Sequence, residues 1–239
     1  MAHVTGGAGT LYLVPNLLGA VAPERVLPAR TIDVARALVH WVVETPKAAR
    51  AFLGTLALPR PIAELDIRPL ASGSGDLRDT LDALRDGADV GMLSDAGCPG
   101  VADPGGSLVE AAHENAIRVV PLVGPSAILL ALMASGLNGQ HFCFRGYLPA
   151  KAEARVSALR ALEQQSRAQR RTELFIETPY RNVALLRAAC ATLAPRTRLC
   201  IAADLTLDTE TVDCRSVARW RGDDARRFDR RPAIFLLQA

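Results

Sequence analysis

Short apolar runs alternate along the chain with segments in which apolar residues recur every three or four positions. Such runs predict buried strands, and the first half holds five of them, at 10–15, at 41–43, within 59–70, at 90–93 and at 117–122. The recurrence of Leu77, Leu81 and Leu84 is typical of a helix between two of these strands. Because strands and helices alternate, the pattern predicts an α/β fold with a largely parallel sheet.

The second half continues the alternation with a different composition. It contains a small-residue helix at 127–135, a polar, exposed helix at 151–170, strands at 142–144, 174–176, 198–202 and 233–237, and an antiparallel strand at 209–214. The chain changes character near Val123. We therefore predict two α/β domains, residues 1–123 and residues 124–239, with a cleft between them.

The stretch from Asp89 to Gly106 has the strongest local pattern. An apolar strand leads into a loop with Ser94, two aspartates, and glycines and prolines up to Gly105. The helical spacing beyond it predicts Asp103 as the N-cap and Pro104 as the first helical residue. Ligands of open α/β sheets bind at the carboxyl ends of strands, so this loop is a candidate ligand site. The alternative interpretation is an ordinary strand-to-helix connection.

A strand, Glu-Thr-Pro, helix plan occurs once in each half, around Glu44 and around Glu177. One interpretation is that both turns present a carboxylate to a shared cleft. The other is that Thr-Pro is a good start for a helix, with Thr45 as a cap and Pro46 in the first turn.

Composition limits the classes of protein. An apolar fraction of 49% with 5% aromatic residues suits a soluble α/β core, and no apolar run approaches the roughly 18 residues of a membrane span. The first nine residues do not resemble a signal peptide, so we expect a cytoplasmic protein without membrane contact. Five scattered cysteines without a C-x-x-C pair favour reduced core thiols over disulfides or zinc, and no metal site is expected.

The net charge of +3 is too small to indicate a nucleic-acid protein by itself. The segment from Arg215 to Arg231 is locally basic, with seven arginines (215, 219, 221, 226, 227, 230, 231) against three aspartates (223, 224, 229). It is interpreted either as a phosphate-contacting surface or as a solvated face.

Several motifs in a fixed order resemble one known family. They are LYLVPNLLG at 11–19, VETPK at 43–47, SDAGCPGVADPG at 94–105, VVPLVGPSA at 119–127, SGL at 135–137, GYLP at 146–149, IETPYR at 176–181 and AADLT at 202–206. The ordered set resembles the tetrapyrrole methylase superfamily of S-adenosylmethionine-dependent methyltransferases. Within it, the resemblance is to the branch of the small-subunit ribosomal RNA 2′-O-methyltransferase I. A shorter group in that branch reads SEAGCPAVADPG, MASGFNGQ and LFIETPYRN, close to residues 94–105, 133–140 and 174–182 here.

The sequence departs from the branch pattern at two places. A proline-containing loop at 19–28 replaces the usual GNLxDIT, and Arg230, Arg231 and Pro232 replace Lys-Gly-Glu before the last strand. These differences bear on the RNA substrate more than on the methyl donor. A GxGxxG motif is absent from the sequence, which disfavours the common Rossmann methyltransferase.

The resemblance implies which residues bind S-adenosyl-L-methionine. Those in the first half would line the amino-acid end and the sulfonium region, and those in the second half would face the adenosine. The implied donor contacts are Pro15, Ser94, Asp95, Ala96, Gly97, Cys98, Pro99, Asp103, Gly105, Pro125, Ser126, Ala127, Glu177, Thr178, Ala203 and Asp204.

The resemblance also implies a homodimer that methylates ribosomal RNA in the cytoplasm. A ribose hydroxyl is a weak acid, so a base would help, and Glu44 and Asp103 are the candidate bases. Lys47 is a candidate to stabilise an alkoxide or hold a phosphate. Two alternatives remain open, a methyltransferase for a tetrapyrrole-like small molecule and a donor-binding protein without turnover.

Overall fold

Strands and helices alternate from Thr10 to Pro121 and build the first of two structural units. The computed structural model describes residues 7–70 and 77–239, and its two compact units are Met1–Ser126 and Ala127–Ala239. The first contains β1 (Thr10–Val14), α1 (Ala29–Ala37), β2 (His40–Val43), α2 (Pro46–Gly54), β3 (Asp66–Pro69), α3 (Leu77–Arg85), β4 (Val90–Leu93), α4 (Gly106–Glu114) and β5 (Arg118–Pro121). Short 3-10 turns lie at Pro23–Arg25 and Ile62–Glu64.

The sheet of the first unit is parallel, in the order β3-β2-β4-β1-β5. Successive side chains of a strand point to opposite faces, and both faces are buried here. Trp41 and Val43 pack in one apolar cluster with residues of α1 and α2. Val42 and Met92 pack in another with residues of α3 and α4. The parallel sheet predicted from the alternation is confirmed for this unit.

The second unit repeats the alternation but forms a mixed sheet. It contains α5 (Ala127–Ser135), β6 (Phe142–Tyr147), α6 (Ala152–Gln169), β7 (Thr172–Ile176), α7 (Asn182–Thr192), β8 (Arg198–Ala203), β9 (Thr211–Ser216), α8 (Val217–Trp220) and β10 (Ala233–Gln238). The strand order is β6-β7-β10-β8-β9. Only β6 with β7 is parallel among its described pairs.

The prediction of a largely parallel sheet is therefore wrong for the second unit. The short connection at 204–210 can join β8 and β9 only as an antiparallel pair, as predicted for the later strand. The last strand, β10, inserts between β7 and β8 and runs antiparallel to both. Hydrophobic periodicity identifies a strand but carries no information about where it inserts.

Helix α6 is less exposed than its polar composition predicts. It buries Arg155, Leu159, Leu162 and Ser166 against the unit, and Ala158 packs partly against the same core. The other face of the helix is exposed. Leu159 and Leu162 belong to the same apolar cluster as Phe175, which lies on β7. The helix is therefore amphipathic and forms one layer of the core.

Candidate functional site

The carboxyl ends of three parallel strands, β1, β2 and β4, meet at one edge of the first unit. The last residue of β4, Leu93, is in register with Val14 of β1 and with Val43 of β2. Consequently Pro15, Glu44 and Ser94, the residues that follow these strands, are neighbours at the sheet edge. This is the position at which ligands bind in open α/β sheets.

Reciprocal hydrogen bonds join the turn after β2 to the loop after β4. The Asp95 amide donates to Glu44 Oε2 at 2.9 Å, and the Thr45 amide and hydroxyl donate to Asp95 Oδ1 at 3.1 and 2.7 Å. Thr45 holds the N-cap position of α2, as predicted, but its side chain does not cap the helix. Its hydroxyl fixes the Asp95 carboxylate instead.

Asp103 lies half-buried beside two other carboxylates. Burial raises its pKa to about 6, with further contributions from the negative charges of Glu44 and Asp95. A hydrogen bond with the Ser94 side chain acts in the opposite direction. The three carboxylates make this edge of the unit strongly negative, which favours a cationic group close by.

The predicted helix start at Asp103 and Pro104 is wrong. Helix α4 begins at Gly106, with Gly105 as its N-cap. Gly105 has φ +125°, a conformation that only glycine adopts readily, and this turn delays the helix by two residues. A Cβ on Gly105 would also lie 2.6 Å from Met92 Cε, so any other residue there would force the Met92 side chain to shift. Asp103 therefore lies in the loop.

Asn16 positions the loop after β4, a role that sequence reasoning missed. Its Nδ2 donates to the carbonyls of Ser94 at 2.9 Å and Asp95 at 3.0 Å, and its backbone amide donates to the Gly97 carbonyl at 2.8 Å. Its Oδ1 accepts from the Leu17 amide at 2.7 Å. The side chain is buried. An asparagine directly after a strand and a proline is the signal that could have found it.

The segment before α5 packs against the same loop. The thiol of Cys98 donates to the Pro125 carbonyl at 3.5 Å, and a Cβ on Gly124 would lie 2.3 Å from Pro15 Cβ. Burial raises the pKa of the Cys98 thiol, with a smaller contribution from Asp103. The donor contacts implied for the first unit, from Pro15 through Ser126, therefore cluster at this edge.

Two candidate residues of the first unit, Lys47 and Gly105, differ from the others in exposure or in structural role. Lys47 is exposed in the first turn of α2. Gly105 is buried next to Met92, and its role is structural, since it forms the turn that leads into α4. Glu44 and Asp103 are the candidate bases that the structure brings close together.

In the second unit, Glu177 follows β7 with its side chain buried. Its Oε1 accepts hydrogen bonds from the Thr178 amide at 2.7 Å and from Arg181 at 2.8 and 2.5 Å. Its Oε2 has no hydrogen-bond partner among the described residues. The two Glu-Thr-Pro turns also differ, because Pro46 begins an α-helix whereas Pro179 begins a 3-10 turn.

Asp204 follows β8, and an arginine holds its side chain. Arg231 Nε donates to Asp204 Oδ2 at 2.7 Å, and the Thr209 hydroxyl donates to the same oxygen at 2.9 Å. Arg231 also donates to the Thr209 carbonyl at 2.5 Å. Asp204 has φ +51°, so these contacts hold a turn that a non-glycine residue rarely adopts. This contact was not predicted from the sequence, and the arginine at position 231 is the signal that could have indicated it.

The basic segment from Arg215 to Arg231 is largely committed to internal contacts. Arg215 and Arg227 both pair with Asp213 and Asp223, and both guanidinium groups lie over the Trp220 ring. Arg221 donates to the carbonyls of Cys190 and Leu193. The exposed arginines of the segment outside these contacts are Arg219, Arg226 and Arg230. The segment is therefore a structural network with a few outward charges.

The described residues show neither a membrane span nor a metal-ligand cluster. In residues 7–70 and 77–239, no helix combines the length and the apolar character needed to cross a bilayer. Within the same part of the chain, no group of three or more His, Cys, Asp or Glu side chains is placed to hold a metal ion.

Comparison with protein families and curated proteins gives consistent matches. Residues 63–216 match the family model described as tetrapyrrole (corrin/porphyrin) methylases. A ribosomal RNA small subunit methyltransferase I of Escherichia coli O157:H7 is 33% identical over 204 residues, which are 85% of this chain and 68% of that protein. The protein of the same name from Micromonospora olivasterospora is 37% identical and is covered over 62% of its length, against 85% of this chain.

Solved structures share the fold at low sequence identity. The methyltransferase CobJ superposes with a TM-score of 0.61 at 18% identity, covering 97% of this chain and 94% of that one. The cobalt precorrin-4 methyltransferase CbiF gives a TM-score of 0.61 at 11% identity, covering 96% of this chain and 94% of that one. At these identities the likeness establishes the two-domain α/β fold alone.

The family match covers more than half of the chain, and the curated relatives exceed 30% identity over most of it. The resemblance seen in the sequence motifs is thereby confirmed. The chain belongs to the tetrapyrrole methylase family, in the branch of the ribosomal RNA small subunit methyltransferase I proteins, and is a methyltransferase that uses S-adenosyl-L-methionine.

Proposed function

We propose that this protein transfers a methyl group from S-adenosyl-L-methionine to a ribose 2′-hydroxyl of the small-subunit ribosomal RNA. The observation that carries the proposal is the carboxylate-lined loop after β4, in a chain 33% to 37% identical to relatives named for this RNA. The reaction would take place in the cytoplasm, with the enzyme as a homodimer, as the family resemblance implies.

The residues present fit the donor in charge and in hydrogen-bonding capacity. Its ammonium and sulfonium groups are cationic, and Asp95 and Asp103 would face them together with Ser94. Its adenosine offers hydroxyl and amine donors, and Glu177 Oε2 is a buried acceptor without a partner in the described chain. A buried acceptor of this kind is costly unless a bound group satisfies it.

The other residues assigned to S-adenosyl-L-methionine are divided between its amino-acid end, its sulfonium region and its adenosine. The loop residues Ala96 to Pro99, with Pro15, would surround the amino-acid end, and Pro125, Ser126 and Ala127 would approach the sulfonium region. Thr178, Ala203 and Asp204 would lie along the adenosine. Gly97 has φ +72°, and the open backbone of Gly100 and Gly106 leaves room for close approach.

When bound, S-adenosyl-L-methionine supplies a methyl group already activated by its sulfonium. The protein must therefore orient the nucleophile and remove its proton. Asp103 is suited to accept that proton, because its raised pKa of about 6 keeps it largely ionised at neutral pH while making it a better base. Glu44 is held by the Asp95 amide and keeps the local field negative.

Lys47 would provide a positive charge near this edge. It is exposed in the first turn of α2, the helix that Glu44 and Thr45 precede. An ammonium there is suited to an incoming phosphate or a developing alkoxide.

Transfer of radiolabelled methyl groups into isolated small ribosomal subunits tests the proposal directly. We expect label in the ribosomal RNA at a ribose, with Asp103→Asn giving strongly reduced incorporation. Label in a tetrapyrrole-like small molecule instead of RNA would support the alternative enzyme. Donor binding without label in any fraction would indicate a protein that binds the donor without turnover.

A further inference from the structure

Two cysteines lie directly opposite each other on neighbouring antiparallel strands of the second unit. Cys200 of β8 is in register with Cys214 of β9. Facing residues of antiparallel strands have Cα atoms about 4.5 or 5.5 Å apart. Disulfide-bonded cysteines span about 4.4 to 6.8 Å. The strand pairing therefore already places the two residues within disulfide range.

Both side chains point to the same side of the sheet. Leu199 and Ile201 belong to the apolar cluster on one face, so Cys200 between them points to the other face. Cys214, as its cross-strand partner, shares that face. Cys200 is fully buried, whereas Cys214 is only half-buried.

The surroundings make the two thiols chemically unequal. Arg198 Nη2 donates to Cys214 Sγ at 3.7 Å. A hydrogen bond from Cys200 and the charge of Arg198 lower the pKa of Cys214 to about 6 despite its partial burial. The same hydrogen bond and full burial raise the pKa of Cys200. Cys214 is therefore the more acidic of the two thiols, and Cys200 the less acidic.

We propose that Cys200 and Cys214 form a reversible, oxidisable dithiol, a modification site separate from the methyl-transfer residues. With hydrogen peroxide as oxidant, the Cys214 thiolate attacks one peroxide oxygen, the O–O bond breaks, and a sulfenic acid and a hydroxide result. The hydroxide takes up from solvent the proton that the Cys214 thiol had released, which gives the first water. Cys200 then attacks the Cys214 sulfur, the S–O bond breaks, and its proton leaves with the hydroxyl as a second water. Two thiols lose two electrons, and one peroxide is reduced to two waters.

The disulfide would close the β8–β9 hairpin around residues 201–213. That closed segment contains Asp204 and its contacts with Arg231 and Thr209. Both thiols are free in this structure, so the reduced form is compatible with the complete sheet. A small dithiol would restore the two reduced thiols by thiol–disulfide exchange.

Peptide mapping of the native, full-length protein after hydrogen peroxide treatment tests the site. We expect a mass loss of about 2 Da and a single cross-link joining the peptides of Cys200 and Cys214, reversed by dithiothreitol. Before oxidation, iodoacetamide at pH 7 should modify Cys214 at least about tenfold faster than Cys190 or Cys98, since burial raises both of their pKa values.

Two variants separate the roles, and a third serves as control. Cys200→Ser should stop at a sulfenic acid that dimedone traps on Cys214, and Cys214→Ser should abolish the cross-link. Cys190→Ser should cross-link like the wild type. A cross-link that joins other cysteines, or native protein that forms the Cys200–Cys214 bond only after unfolding, would overturn the proposal. None of these results depends on donor binding or methyl transfer.

Discussion

At the scale of the residue, Asp103 links stability to function. Its folded pKa of about 6 lies above the ordinary value of 3.8. Between these values the folded state binds more protons than the unfolded state. Stability therefore falls as pH rises through this window, and the ionised carboxylate weakens the fold at neutral pH. Such a cost is expected where a group is kept for reaction chemistry.

Replacement of Asp103 by Asn should reduce methyl transfer while stabilising the protein. We expect kcat to fall about 10²- to 10⁴-fold, the range for loss of a general base. At pH 8 the free energy of unfolding should rise by about 1 kcal/mol after allowance for solvent screening, and this gain should vanish near pH 4. Denaturant titrations of wild type and variant at pH 8 and pH 4 measure this difference in the free energy of unfolding. Equal changes in stability at the two pH values would show that the charge of Asp103 is not responsible.

The pH dependence of the wild-type rate gives a second test of Asp103. The base must be ionised to accept a proton, so the rate should rise with pH through about 6 and then level off. Single-turnover methyl transfer between pH 5 and 8 would record this profile. A rate that does not change over this range would assign the proton transfer to another group.

Asn16 should be required for the shape of the loop after β4. Asn16→Ala removes two buried donors and one acceptor, and we expect a loss of about 2 to 4 kcal/mol in stability. Asn16→Asp keeps the acceptor for the Leu17 amide, but it replaces the two donated hydrogen bonds by a buried carboxylate facing two carbonyl oxygens, so it should destabilise the protein at least as much. The affinity for S-adenosyl-L-methionine should fall in both variants. Unchanged stability in Asn16→Ala would refute this role.

At the scale of the element, the strands and most helices could be predicted from periodicity. Strand β4 and helix α5 begin and end where the pattern places them. The start of α4 could not be predicted, because the cap rule favours Asp103, whereas the turn at Gly105, with φ +125°, appears only in the folded backbone. Likewise, the sequence pattern predicts that Thr45 caps α2, but its hydroxyl donates instead to the carboxylate of Asp95, fifty positions away.

The two adjacent glycines at the start of α4 give a matched pair of substitutions. Gly105→Ala should destabilise the protein by about 2 to 3 kcal/mol, because φ is +125° and the new Cβ would clash with Met92. Gly106→Ala should be neutral or stabilise by up to about 1 kcal/mol, since its Cβ would meet open space at a helical position. Thermal unfolding of the two variants measures this difference in stability. Similar melting temperatures would contradict the conclusion that the backbone conformation of Gly105 requires glycine.

At the scale of the whole molecule, the two units use different sheets to present the residues assigned to the donor. The first unit places its candidates at the edge of a parallel sheet, and this edge could be predicted from the order of strands. The second unit holds Glu177 and Asp204 by arginines that follow them in the chain, Arg181 and Arg231. The Glu177–Arg181 pair is local, four residues apart, whereas the Asp204–Arg231 pair joins distant parts of the chain and depends on the insertion of β10, which the sequence pattern does not contain.

If the donor contacts both units, a change in the second unit must weaken its binding. We expect Glu177→Gln to lower the affinity for S-adenosyl-L-methionine about tenfold, equivalent to about 1.4 kcal/mol. Glu163→Gln is the control. Its Oε1 accepts from the Ala194 amide and the Thr197 hydroxyl in the same unit, and Glu163 is not among the assigned donor contacts. Equal affinities for the two variants would remove Glu177 from the donor site.

Calorimetric titration of the intact protein with S-adenosyl-L-methionine tests the central claim most directly. We predict a saturable heat with one donor per chain and micromolar affinity, lost or strongly weakened in Asn16→Ala protein that is still folded. A wild-type protein that binds neither the donor nor its demethylated product would contradict the assignment of this edge as a methyl-donor site.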